Sequence, residues 1–283
     1  MSSIEDLLGF GTKKLKESGI LRARLEAEIL LGFVLGYTRV QLHCHYMQKV
    51  VEFYVESYKR LIKRRSLHEP IEYLIEKVGF FGEELYISHG ALIPRPETEI
   101  LVQIALDLIL ENDFINIAEI GVGSGAISVI LAHLTKKLSR TNALHFYGSD
   151  ISPEALFNAY VNKRLFNVRN LALFNSSYLD FNVKQKIKFD LLISNPPYIK
   201  NDFKAPKSLA YEPRRALFGG VNGDEILKEI ITLAYNCEIP FLLCEMGYNQ
   251  RQSIENFMRN YPHKSLEFYK DLAGLDRGFL IKF

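Results

Sequence analysis

The stretch Glu119-Ile120-Gly121-Val122-Gly123-Ser124-Gly125 constrains this chain more than any other. Glycines at alternate positions admit backbone conformations closed to other residues and let another molecule approach the main chain. The residues at 116–122 are a strand candidate, and 124–137 carry a helical pattern. A loop of this kind, leading from strand to helix, places backbone N–H groups and a helix N-terminus where an anionic group can sit. The same rhythm continues, with strand candidates at 144–150, 171–177, 189–195 and 239–247. Helix candidates at 153–166 and 224–235 fall between them. Such alternation predicts an α/β fold, a largely parallel sheet with helices on both faces. The end breaks the rhythm: 266–270 and 278–283 read as two antiparallel strands joined by the loop 271–277.

The N-terminal part reads differently. Ser2 and Glu5 have capping-box spacing ahead of Leu7 and Leu8. Ala27, Leu30, Leu31 and Val34 recur at helical spacing, and Gly36 is a stop signal. A third helix is predicted over 48–65, with Val51, Tyr54, Val55, Tyr58 and Ile62 on one face. Lys59, Arg60, Lys63 and Arg64 lie off that face and read as a solvated surface. The segment 71–88, punctuated by Gly79 and Gly82, predicts a β-hairpin. In Pro94-Arg95-Pro96-Glu97-Thr98-Glu99, proline followed by acids matches a helix start and predicts a helix over 96–110. The resulting division is a helical domain at 1–70, a hairpin linker at 71–93 and a sheet domain at 94–283.

Composition narrows the class. An apolar fraction of 48% over 283 residues supports a packed core. Lys+Arg 35 against Asp+Glu 33 leaves +2, which argues against a broad basic surface for nucleic acid. Cys44, Cys237 and Cys244 form no C-x-x-C pair, as expected of free thiols in a reducing compartment. His43-Cys44-His45 sends neighbouring side chains in different directions, so it reads as structural and no metal is expected. The acidic start lacks a basic n-region, and the longest apolar stretch, around 29–37, is too short to span a bilayer. A cytoplasmic protein, not bound to membrane and monomeric, is the expectation.

Two further motifs carry chemistry. Asp150 closes the second strand candidate, where a carboxylate can accept both hydroxyls of a ribose; an alternative is a cap for the helix beginning at Ser152-Pro153. Gly121-x-Gly123-x-x-Ala126 also satisfies the dinucleotide fingerprint, which keeps an NAD enzyme as an alternative. Asp150 follows Gly121 by 29 residues (150 − 121), against a spacing of about 20 in that fingerprint. The discriminating motif is Asn195-Pro196-Pro197-Tyr198, at the carboxyl end of the fourth strand candidate, where ligands bind in folds of this kind. Two prolines stiffen the backbone and remove two N–H donors, leaving carbonyls as acceptors, and Asn195 adds a side-chain carbonyl. A substrate NH₂ can then donate one hydrogen to Asn195 and another to the Pro196 carbonyl. Tyr198 offers an aromatic face to a flat amide or base. Arg95 and Glu245 are left outside the catalytic set, because an arginine in a proline-rich loop or an acid at a strand end commonly satisfies neighbouring groups.

These residues resemble the release-factor glutamine methyltransferase (HemK/PrmC) family over nearly the whole chain. The resemblance is carried by 195–198, by Arg24-Leu-Glu-Ala-Glu-Ile-Leu-Leu31, by 93–99 and by the glycine loop. Tyr211-Glu-Pro-Arg-Arg-Ala-Leu-Phe-Gly-Gly220 and the tail 269–278 also match. It implies a Rossmann-like seven-stranded methyltransferase sheet with a small N-terminal helical domain that grips the substrate protein. It further implies S-adenosylmethionine as cofactor, bound by Gly121, Val122, Gly123, Ser124, Gly125 and Asp150, with Tyr178 beside the adenine and Asn195 nearby. Asn195, Pro196, Pro197 and Tyr198 would bind the glutamine, with Asn195, Pro196 and Tyr198 serving the transfer. The implied partners are peptide chain release factors. Ser177 stands where many relatives carry Asp, and Glu119 replaces the commoner Asp before the loop. Adenine-amine methyltransferases share the tetrapeptide, and a glutamine methyltransferase of a ribosomal protein is a second alternative.

Overall fold

The computed structural model describes residues 2–138 and 144–283, which fall into two compact units. The first comprises Met1–Lys77 together with Pro206–Tyr211, the second Val78–Ala205 with Glu212–Phe283.

The first unit is helical: α1 (Ile4–Glu17), α2 (Ala23–Leu35), α3 (Arg39–Cys44), α4 (Glu52–Ser66) and α5 (Ile71–Ile75). The capping box is real but lies one residue later than expected, at Ser3 and Asp6 rather than Ser2 and Glu5. The Ser3 hydroxyl accepts from Asp6 N at 3.1 Å, and Ser3 N donates to the Asp6 carboxylate at 2.8 Å. Gly36 ends α2 in the left-handed conformation, as its sequence position predicts. Helix α4 starts four residues later than expected because the chain at 48–51 is extended, with an isolated bridge from Lys49 to Ser3. Its buried face is Val55, Tyr58 and Ile62, which join Leu7, Leu8, Leu30 and Leu31 in one apolar core. Arg64 pairs with Glu69, Lys59 with Glu56, and Tyr211 donates to the Leu67 carbonyl at 2.9 Å. His43 lies 3.4 Å from Glu28 and His45 contacts the Gln41 carbonyl, so the two histidines face different neighbours.

The boundary falls after the first residue of β1 (Lys77–Phe80), and the second unit opens with the rest of its hairpin with β2 (Glu83–Tyr86). The expected linker 71–93 is therefore divided, with α5 in the first unit and the hairpin, from Val78, in the second. The hairpin is tied down by Asn162, whose side chain bridges the Tyr86 N–H and carbonyl at 2.8 Å each. Then follow α6 (Thr98–Glu111), β3 (Asn116–Ile120), α7 (Ala126–Lys137), β4 (His145–Asp150), α8 (Pro153–Leu165) and β5 (Leu171–Asn175). The remainder is α9 (Asn182–Gln185), β6 (Leu191–Ser194), β7 (Ile199–Lys200), two short 3-10 turns, β8 (Phe218–Gly220), α10 (Glu225–Asn236), β9 (Phe241–Glu245), α11 (Arg251–Met258), β10 (Ser265–Lys270) and β11 (Asp276–Lys282).

Seven strands form one sheet in the order β10-β11-β9-β6-β3-β4-β5. The five from β9 to β5 are parallel, and β10–β11 is the antiparallel edge pair expected from the tail. Strand side chains alternate between two cores. Ile117, Leu191, Ile193 and Leu243 pack with α6 and α7, whereas Ala118, Leu192, Leu242 and Cys244 pack with α10 and α11. The near-continuous apolar run of each central strand follows from burial on both sides.

Candidate active site

The site forms at the carboxyl ends of β3, β4 and β6, where the chain leaves the sheet for its helices. The glycine loop is built for that exit. Gly121, Gly123 and Gly125 all have positive φ (74°, 55° and 82°). Gly125 is closed to any side chain on two counts, because a Cβ there would lie 2.8 Å from Val129 and 3.2 Å from the Ala159 backbone. Ser124 is buried, and its carbonyl accepts from the Asn162 side chain, so the loop is anchored to α8.

Asp150 ends β4 beside the loop. One of its oxygens accepts from Gly123 N and the other from Ser152 N, both at 2.9 Å. The cap of α8 is Ser152, whose hydroxyl accepts from Ala155 N, so the carboxylate is not needed for capping. Each carboxylate oxygen retains acceptor capacity. Burial raises the pKa of Asp150, while the N–H groups of Ser152 and Gly123 oppose the rise.

Glu119 shares the β3 face that meets α7. It is 1% exposed, and its Oε2 accepts from the backbone N–H and hydroxyl of Ser128. Burial pushes its pKa up to about 8, against the pull of the Ser128 donors. Oε1 is buried and, among the described residues, has no hydrogen-bond partner.

Asn195 follows β6 directly. Its Nδ2 donates to Thr98 Oγ1 at 3.0 Å. Thr98, the first residue of α6, donates in turn to Glu245 Oε2 at 2.7 Å, and Tyr198 donates to Glu245 Oε1 at 3.0 Å. Glu245, at the end of β9, is fully buried. Burial raises its pKa, opposed by the Thr98 and Tyr198 hydroxyls and the charge of Arg277. Beyond Asn195 the proline pair hands the chain to β7, which runs parallel to β8. That pairing requires Gly219, where a Cβ would sit 2.3 Å from the Pro197 carbonyl oxygen. The end of the segment 211–220 is thus explained: Phe218–Gly220 returns the chain beside Pro197 and Ile199.

One cavity collects most of these groups. It is lined by Gly121, Val122, Gly123, Ser124, Asp150, Tyr178, Asn195, Pro196 and Pro197, and also by Glu119, Thr98, Ser149 and Arg215. Gly125 adjoins it as the N-cap of α7. Tyr198 is the exception. Its ring was expected against a flat substrate group, but it does not line this cavity and its hydroxyl is engaged by Glu245. Tyr178 has positive φ (43°), and its hydroxyl donates to Glu229. Arg95 also lines the cavity while pairing with buried Glu212 at 2.6 Å. Glu212 additionally accepts from Ile93 N at 3.1 Å, which makes it a brace for the proline-rich segment. Thr98, Glu212 and Arg215 were not singled out individually, although all three lie in the stretches 93–99 and 211–220 that carry the resemblance.

The donor set fits a nucleoside bearing an amino-acid tail: an acceptor carboxylate at a strand end, a left-handed glycine loop, and an orphaned buried acid oxygen at Glu119. The Rossmann-like sheet with its antiparallel edge pair and this cavity define an S-adenosylmethionine-dependent methyltransferase. The family model described as N-6 DNA methylase matches residues 81–222, and the PrmC N-terminal domain matches residues 6–75. The chain is 34% identical over 280 residues to the release factor glutamine methyltransferase of Dictyoglomus turgidum, covering 97% of this chain and 96% of that one. It is 33% identical to the Clostridium botulinum protein of the same name, covering 97% of each. The chain belongs to the release factor glutamine methyltransferase family. Among solved structures, the delta-N METTL16 MTase domain superposes with TM-score 0.52 at 18% identity, covering 72% of this chain and 90% of that one. A human methyltransferase 10 domain containing protein gives 0.51 at 16%, covering 72% and 89%. These two likenesses concern the fold.

No helix among the described residues is long and apolar enough to cross a membrane.

Proposed function

We propose that this enzyme methylates the side-chain amide nitrogen of a glutamine in peptide chain release factors, at their Gly-Gly-Gln motif. The observation that carries the reading is the Asn195 amide on the wall of the glycine-loop cavity. Its nitrogen is committed to Thr98, while its carbonyl oxygen receives no hydrogen bond among the described residues. Together with the two prolines that follow, it offers acceptors to a substrate NH₂ group.

S-adenosylmethionine, when bound, supplies a methyl group already activated on a sulfonium. Gly121 to Gly125 and Asp150 would hold it, Asp150 through its remaining acceptor capacity, with Tyr178 at the side of the cavity. An amide nitrogen is a poor nucleophile because its lone pair is shared with the carbonyl. The task left to Asn195 and the Pro196 carbonyl is to hold that nitrogen with its reactive face open, and positioning of this kind can contribute ~7–11 kcal/mol. Tyr198 acts from behind, through Glu245. The first unit exposes Phe33, Val40, Met47, Val51 and Phe53, apolar groups suited to a folded protein partner.

Incubation with labelled S-adenosylmethionine and either a purified release factor or duplex DNA tests the substrate class. Label in the release factor, lost when its motif glutamine is replaced, is the expected result; label in DNA alone overturns it. Asn195→Ala removes the acceptor and leaves the proline turn. By the scale of deleting one preorganised polar group, single-turnover transfer at saturating cofactor falls by about 10²–10³. Transfer within a few-fold of the parent rate would assign Asn195 to the strand end instead.

A further inference from the structure

The amide of an asparagine has two faces, donor and acceptor, that a half-turn exchanges. What holds the Asn195 amide in one of these orientations is visible beneath it. Glu245 is a carboxylate sunk at the end of β9, and as a carboxylate it only accepts. Thr98 has a single hydroxyl proton, and Glu245 Oε2 takes it at 2.7 Å. The Thr98 oxygen can then only accept from Asn195, which forces the Nδ2 side toward it. Oδ1 is left as the acceptor that Asn195, a residue of the cavity wall, can offer. The second oxygen of Glu245 is occupied by the Tyr198 hydroxyl, which is itself held two residues after the proline pair begins. Both hydroxyl protons therefore run toward one buried carboxyl group, and the chain of hydrogen bonds has a single direction.

We propose that Thr98 and Glu245 are positioning residues that lock the Asn195 amide with its oxygen toward the cavity, making the site an acceptor for a substrate NH₂ group. The inference rests on the reading that Asn195 receives the substrate amide. It assigns the threonine of the proline-rich segment and the acid of β9 to the reaction, through Asn195, rather than to packing alone. Neither needs to touch the substrate.

The test uses the full chain and needs four single variants and one double variant. Thr98→Val keeps the shape and removes the hydroxyl, while Thr98→Ser keeps the hydroxyl. In protein labelled with ¹⁵N at asparagine, the side-chain NH₂ resonance of Asn195 is the one absent from Asn195→Ala. It shifts in Thr98→Val and stays near its parent position in Thr98→Ser. With the release factor as substrate, Thr98→Val lowers kcat about tenfold, one hydrogen bond's worth of orientation, with KM little changed. Thr98→Ser restores most of that loss. Glu245→Gln, which turns one of the two acceptor oxygens into a donor, lowers kcat in the parent but adds nothing in the Thr98→Val background. Parent-like kcat in Thr98→Val, an unmoved Asn195 resonance, equal losses in Val and Ser, or additive effects of the two sites would each overturn the proposal. The NMR arm requires no substrate, so a parent enzyme that fails to methylate the release factor refutes the substrate reading and leaves the relay tested separately.

Discussion

Glu119→Gln gives a direct measure of what the buried acid behind the glycine loop costs this fold. The carboxyl is 1% exposed, and only its Oε2 is satisfied, by Ser128. Burial lifts its pKa from the ordinary 4.5 to about 8. Between those values the folded state keeps a proton that the unfolded chain has released, so stability falls as pH rises through this window and the loss is complete above about pH 8. Across the whole window the loss amounts to about 5 kcal/mol, and between pH 6 and pH 9 it is about 3 kcal/mol. Glutamine keeps the acceptor toward Ser128 and cannot ionise. The variant should therefore lack this part of the pH dependence, and its stability relative to the parent should rise between pH 6 and pH 9. The chain has no tryptophan and divides into two units, so hydrogen exchange of β3 amides, read on parent and variant at the same pH, is the suitable measurement. The difference between the two proteins should grow by about 3 kcal/mol from pH 6 to pH 9. Profiles that stay parallel over that range would refute the argument, because they would mean that Glu119 remains ionised in the folded protein.

Two other perturbations test the site and its support. Asp150→Ala removes a charge-assisted acceptor of roughly 1.5–3 kcal/mol, so the calorimetric Kd for S-adenosylmethionine should rise about tenfold or more; an unchanged Kd would leave Asp150 as a tie between Gly123 and Ser152 only. Asn162→Ala strips partners from the Tyr86 backbone and the Ser124 carbonyl in a fully buried place, which should cost about 3 kcal/mol and lower Tm by roughly 6–12 °C in calorimetry. A Tm within 2 °C of the parent would show that water replaces those bonds without loss.

What the sequence determined by itself is whatever a short stretch of chain imposes locally. The alternation of strand and helix patterns is legible because burial on both faces demands apolar runs in β3, β6 and β9, and helical spacing shows in α2 and α4. The glycine loop is legible because left-handed backbone at Gly121, Gly123 and Gly125 excludes other residues, and the Asn-Pro-Pro segment because prolines remove donors wherever they stand. Boundaries slipped where tertiary pairing overrides local signals. The bridge from Lys49 to Ser3 delays α4, and the side chain of Asn162 binds the hairpin into the second unit. Helix α11 and the β7–β8 pair went unread, since an eight-residue helix and two- and three-residue strands are too short to show a period. The greater part of the site's wiring belongs to the tertiary structure alone. Thr98 and Asn195 are 97 residues apart in the chain, and Thr98 and Glu245 are 147 apart. A hydrogen bond between such residues exists only after the sheet has set β6 beside β9 and α6 has packed across them. The same closure turns Tyr198 away from the cavity and onto Glu245, because a buried carboxylate needs donors more than the cavity needs another ring.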